Sequence, residues 1–130
     1  MDTPSQPKPG IDPAQDAAKA TAPRCLVPDG LQVEIVLGID PGTVVLGYGA
    51  LVLAPDGPRF LTAGVLKANA RWTIERRLGH MLAGLQDLYH LTRPSFVAIE
   101  QAFTHQNPRT AIRLGEARGL AIASSYNYGA

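Results

Sequence analysis

Cysteine is nearly missing from this 130-residue chain. Cys25 stands alone, which excludes an internal disulfide framework and a cysteine-rich zinc site and leaves an incidental free thiol. No run approaches the roughly 20 apolar residues that a membrane helix needs. The first 30 residues hold no apolar block of signal-peptide type, so the expectation is a cytoplasmic protein with no membrane partner. That same stretch has no aromatic residue and six prolines, Pro4, Pro7, Pro9, Pro13, Pro23 and Pro28. It cannot bury enough surface to offset the entropy of ordering it. Residues 1–34 are therefore read as a flexible Pro/Ala-rich tail, a tether or, as the alternative, a docking segment for a partner.

Lysine is also scarce where folding is expected. Lys8, Lys19 and Arg24 against Asp2, Asp12, Asp16, Asp29 and Glu34 give the tail a formal charge of −2, which leaves +3 on residues 35–130. Lys67 is the one lysine in that part; the other basic residues there are arginines. A balance this mild permits contact with phosphates without demonstrating it.

What is present begins at Val33. Val33, Ile35, Val36, Leu37 and Ile39, closed by Asp40-Pro41-Gly42, predict a buried central strand and a tight turn. A second strand is expected over 44–53 and a third over 59–66, joined by the turn Ala54-Pro55-Asp56-Gly57, so the three make an antiparallel meander. Gly47 and Gly49 within the second strand mark either a close approach or a bulge. Ile74, Leu78, Met81, Leu82, Leu85 and Leu88 recur at helical spacing and predict an amphipathic helix over 72–91. Phe96-Val97-Ala98-Ile99 reads as a strand after a helical crossover, and Asn107-Pro108 as the cap and first position of a helix reaching about residue 124.

A strand that follows a crossover usually lies parallel to an earlier one, and the first strand is its natural neighbour. Asp40 and Glu100 each close one of these strands, so their carboxylates meet in the crevice at the strand ends. Two carboxylates so close repel unless a proton or cation lies between them. Magnesium, an oxygen-seeking ion held by one or two carboxylates plus substrate phosphates, resolves that conflict. Either residue alone could be no more than a turn-former or an exposed strand-end charge.

The runs Leu37-Gly38-Ile39-Asp40-Pro41-Gly42-Thr43, Gly47-Tyr48-Gly49, Ala98-Ile99-Glu100-Gln101-Ala102-Phe103, Asn107, and Leu114-Gly115-Glu116-Ala117-Arg118-Gly119 resemble, in order and spacing, the RuvC family of bacterial Holliday junction resolvases. The likeness runs from about residue 36 to about residue 126. It implies an α/β, RNase H-like mixed sheet, the three-strand meander plus a parallel strand, with flanking helices. It also implies a homodimer that acts beside a branch-migration helicase complex and cuts four-way DNA junctions with two magnesium ions.

On this resemblance Asp40 and Glu100 match two acidic metal ligands and catalytic groups, and Phe103 matches an aromatic residue near the junction centre. An aromatic three residues past a ligand can stack on an unpaired base, worth about 1–3 kcal/mol; a core phenylalanine is the alternative. Thr43 stands where serine is common, keeping a hydroxyl or backbone N–H beside the metal. Thr43, Asn107, Arg109 and Arg113 are candidate DNA contacts, with solvated helix charge the other reading of the arginines. Gly115 and Gly119, four apart on one helical face, each cost about 1 kcal/mol of helix propensity relative to alanine. Close backbone approach to another helix or to the sheet offsets that cost, and the family places its dimer contact on this helix.

The family continues past the position of Ala130 with a strand, basic residues and a helix bearing two further acidic ligands, whereas after Glu116 this sequence has no Asp, Glu, Lys or His. The domain over 35–130 is thus expected to be incomplete at its C-terminus, to hold at most one weak magnesium, to be poorly soluble, and to be doubtful as a nuclease alone. Two other readings compete: a catalytically dead RNase H-like module that binds branched DNA, and a fragment of an actin-like or sugar-kinase ATPase, whose phosphate turn also begins Asp-x-Gly-Thr.

Overall fold

The computed structural model describes residues 26–27, 30–101 and 107–130. In chain order the elements are β1 (Glu34–Asp40), β2 (Val45–Ala54), β3 (Gly57–Lys67), α1 (Ile74–Thr92), β4 (Phe96–Ile99) and α2 (Pro108–Tyr128). The four strands make one sheet in the order β3-β2-β1-β4. β1 pairs antiparallel with β2 and parallel with β4, and β2 pairs antiparallel with β3. The meander and the crossover strand are as expected. The irregularity in the β2–β3 ladder falls at Ala50/Leu51, away from Gly47 and Gly49.

Each helix is bounded by local chemistry. The Thr73 side chain accepts the Arg76 N–H and starts α1 two residues later than the apolar spacing alone implies. Arg93 ends α1 in the left-handed region at φ 46°, and Pro94 follows, which forbids continuation. Asn107 caps α2 by accepting from the Arg109 and Thr110 N–H groups, with Pro108 at the first turn. α2 runs past residue 124 to Tyr128, because nothing breaks it before Gly129, a left-handed C-cap at φ 96°.

The core lies on one face of the sheet. Ile35, Leu37 and Ile39 of β1 and Leu46 and Ala50 of β2 pack against Met81, Leu85, Leu88 and Tyr89 of α1 and Ala121 of α2, all buried. Tyr89, on the same stripe of α1, hydrogen-bonds its hydroxyl to that of Ser124 at 2.8 Å, joining the two helices. Ala117 and Ala121 are the small residues on the buried side of α2. Gly115 and Gly119 are exposed, and a Cβ at either would meet nothing within 4 Å. Among the described residues the close approach expected at these glycines does not occur within the chain; the two alanines occupy the packed side instead.

The first strand is central but not buried on both sides. Among the described residues both helices cover one face, and the other face is open. Phe96, Val36, Leu51 and Phe60 form a continuous cross-strand row there, with Phe96 and Phe60 52% and 74% exposed. At the tail end, Leu26 donates its N–H to the Leu91 carbonyl at 2.8 Å and Val27 joins the core, so these two residues of the expected tail touch the fold.

Candidate functional site

Pleating decides what reaches the open face, since alternate residues of a strand point to opposite sides. Beyond the row led by Phe96 comes a row of very small residues, Ala98, Gly38, Gly49 and Ala63, and then Asp40 opposite Gly47 and Val65. Glu100 follows β4 directly, and its N–H bonds the Ile39 carbonyl at 2.9 Å, extending the parallel ladder one step and holding Glu100 beside Asp40. The small row leaves an open groove of about 580 Å³, bordered by Gly38, Gly49, Ala98 and the two acids. A Cβ at Gly47 would lie 3.6 Å from that of Asp40 and one at Gly49 3.9 Å from that of Ala63, ordinary contact distances, so neither glycine is required by its neighbours within the sheet.

The turn behind Asp40 is fixed from two directions. Gly42 is obligatory, because a Cβ there would lie 1.9 Å from the Val45 carbonyl oxygen. Thr43 is buried, and its hydroxyl oxygen accepts from Arg77 Nη1 at 3.1 Å. The Ala68 N–H donates to the Val44 carbonyl at 2.8 Å, tying the same turn to the end of β3.

The acidic pair is electrostatically strained. The Asp40 charge, then a hydrogen bond with its side chain, then a little desolvation raise the Glu100 pKa above its ordinary 4.5. Both residues are exposed, so a cation has direct access to the pair. Two adjacent carboxylates, of which Glu100 holds its proton more tightly because of the Asp40 charge, suit one hard cation that keeps several waters. Among the described residues there is no group of three or more His, Cys, Asp or Glu able to hold a metal.

The remaining candidates are dispersed. Thr43 faces Arg77 rather than the groove. The Asn107 amide oxygen is engaged as a helix cap, and Arg113 pairs with Glu116 at 2.9 Å along α2. Arg109 is exposed in the first turn of α2. Phe103 lies outside the described residues. Arg77 was not singled out from sequence, since it falls on the polar side of α1; a serine or threonine three residues past the site aspartate is the signal that asks for such a donor.

A mixed sheet with two carboxylates on adjacent parallel strand ends and helices across one face is the RNase H-like arrangement. The family model for crossover junction endodeoxyribonuclease RuvC matches residues 36–129, and the chain belongs to that family. The RuvC protein of Rubrobacter xylanophilus is 38% identical over 96 residues, which is 74% of this chain and 54% of that protein. The RuvC of Halorhodospira halophila is 42% identical over 96 residues, 72% of this chain and 56% of that one. Among solved structures, T. thermophilus RuvC in complex with Holliday junction substrate superposes with a TM-score of 0.66 at 29% identity, covering 74% of this chain and 60% of that one. The chain thus spans about half the length of the curated relatives it matches. Membership in this family sets aside the ATPase reading of the Asp-x-Gly-Thr turn.

Proposed function

We propose that residues 35–130 form the RNase H-like domain of a structure-selective endonuclease that resolves four-way DNA junctions in recombination and repair. The observation that carries this is the pair Asp40 and Glu100, set side by side at the mouth of a groove floored by glycine and alanine. Its carboxylates would hold magnesium, which when bound activates water and offsets charge on the leaving oxygen. The residues' own contribution is positional. The Arg77–Thr43 contact and the Gly42 turn hold Asp40, the parallel ladder holds Glu100, and the missing side chains at Gly38 and Gly49 admit a phosphodiester backbone. In this reading Phe103 stacks on an unpaired base and Arg109 contacts phosphate, while Thr43 acts through the turn.

The same reading makes the protein a homodimer working beside a branch-migration helicase complex in the cytoplasm. Ile112, Gly115, Gly119, Ile122 and Tyr126 fall on one exposed stripe of α2 at alternating spacings of three and four, with Tyr126 86% exposed. Glycine at the centre of such a stripe admits a second helix closely.

The test compares binding of the purified chain to a synthetic four-way junction and to linear duplex of the same sequences. Preference for the junction, weakened by Phe103→Ala, is expected; equal affinity for both overturns the proposal. No helix among the described residues is long and apolar enough to cross a membrane.

A further inference from the structure

A second charged surface lies at the same end of the sheet as the acidic pair, and the site just described does not use it. β3 ends at Lys67 opposite Val45, and the chain then enters α1 through Arg71, Trp72 and Thr73. Arg76 and His80 are four apart and so share one side of the helix, and Trp72 lies just ahead of its N-cap. The Arg76 guanidinium carbon sits 4.1 Å from the Trp72 ring centroid, stacked on its face. The His80 ring meets the indole edge-on at a centroid distance of 5.4 Å, and His80 Nε2 lies 2.9 Å from the Lys67 carbonyl oxygen. Trp72 itself packs partly against the core. The indole is thus anchored from below and the side, and in turn it holds the plane of Arg76.

A guanidinium stacked on an aromatic face keeps its N–H edge free for a planar bidentate acceptor, and less entropy is lost when the acceptor arrives. Lys67, Arg71 and Arg76 are all exposed, and among the described residues none has a carboxylate partner. Their nearest acid in sequence, Glu75, is engaged at the start of α1. Its pKa is lowered first by its own backbone N–H, then by the Thr73 hydroxyl, with a smaller contribution from Arg113 on α2. Two further unneutralised cations beside one fixed guanidinium form a receptor for closely spaced anions.

The patch is also mechanically joined to the acids. Arg77, next to Arg76, holds Thr43 three residues past Asp40, and Ala68, next to Lys67, bonds the turn at Val44. In the sheet order, β3 is two strands from β1, a lateral offset of roughly 10 Å at the usual inter-strand spacing. That offset corresponds to about three phosphates at 3.4 Å of duplex axis per strand.

We propose that Lys67, Arg71 and Arg76 grip the phosphate backbone of the duplex arm that leaves the acidic pair, with Trp72 as the residue that positions Arg76. The inference rests on the DNA-binding reading above and adds a location to it. Neutralising one phosphate contributes a slope of about −0.9 to the dependence of log K on log salt. The wild-type chain, Arg71→Gln/Arg76→Gln, and Arg59→Gln are titrated with the same fluorescent four-way junction at several salt concentrations. Arg59 pairs with Asp56 at the opposite end of β3 and serves as the control. The double variant is expected to lose about 1.8 from the slope, with an unchanged circular dichroism spectrum, and Arg59→Gln to lose nothing. Trp72→Ala is expected to weaken binding, and Trp72→Phe to restore most of it. Wild-type binding with an unchanged slope in the double variant overturns this inference and leaves the junction reading standing; a wild-type chain that binds no DNA overturns both.

Discussion

The two faces of the sheet are built from the same strands and answer opposite demands. On the helix side Ile35, Leu37 and Ile39 are almost wholly buried, and the neighbouring helices fill the space above them. On the open side the intervening positions hold Val36, Gly38 and Asp40, grading along one strand from apolar to empty to charged. Stability is concentrated on the first face, and the acidic pair stands on the second. Two like charges set side by side are costly, and the packed face offsets that cost without sharing residues with it.

The largest effect that should separate the faces is truncation at Leu37, which is fully buried. Leu37→Ala is expected to lose about 2–5 kcal/mol, from lost burial and the cavity left behind. Leu51→Ala, on the open face, is expected to lose about 0.5 kcal/mol. Urea unfolding followed by circular dichroism measures both, and equal losses would erase the distinction. Next is Gly42→Ala, which places a methyl against the Val45 carbonyl and should cost about 1–3 kcal/mol as the turn is forced open. A smaller effect is expected at Arg77→Ala. It removes a charged donor from the buried Thr43 hydroxyl and should cost about 1–2 kcal/mol, while displacing the amide resonances of Asp40, Gly42 and Thr43. An unchanged spectrum there would show that Arg77 does not hold the turn. Smaller still in stability, but visible in solubility, is Phe60→Lys on β3. An exposed aromatic on an edge strand invites association, so the substitution should raise the saturation concentration with the unfolding midpoint nearly unchanged.

The sheet order and the meeting of Asp40 with Glu100 were legible in the sequence because they follow from chain connectivity. A helical crossover after a meander leaves the edge beside β1 as the place for β4, and both acids then close their strands at the same end. The one-sided burial of β1 was not legible. Gly38 interrupts the polar alternation that would have marked an open face, so the run from Val33 to Ile39 reads as buried throughout. The same limit applies to α2. Gly115 and Gly119 advertise close packing by composition, yet the packed face depends on the rotation of the helix, and Ala117 and Ala121 occupy it. Arg77 was hidden for a related reason: its partner Thr43 lies 34 residues earlier, and no local pattern links a turn hydroxyl to a helix arginine.

The finest probe of the open face is its proton balance. Because the Asp40 charge raises the Glu100 pKa above 4.5, the folded chain holds that proton more tightly than the unfolded chain does. The associated stability is fully present below pH 4.5 and is lost as pH rises through the folded value, so at neutral pH the pair works slightly against the fold. Asp40→Asn removes the first cause of the shift. The Glu100 pKa should then fall toward the ordinary carboxyl value, and neutral-pH stability should rise a little. Magnesium added to the wild type should move the same pKa in the same direction, since a cation between the carboxylates favours their charged forms. Both changes are read by carboxyl-carbon NMR titration. A Glu100 that titrates identically in the wild type and in Asp40→Asn would mean that the two carboxylates do not sense each other, and the open face would then have no built site to set against the packed one.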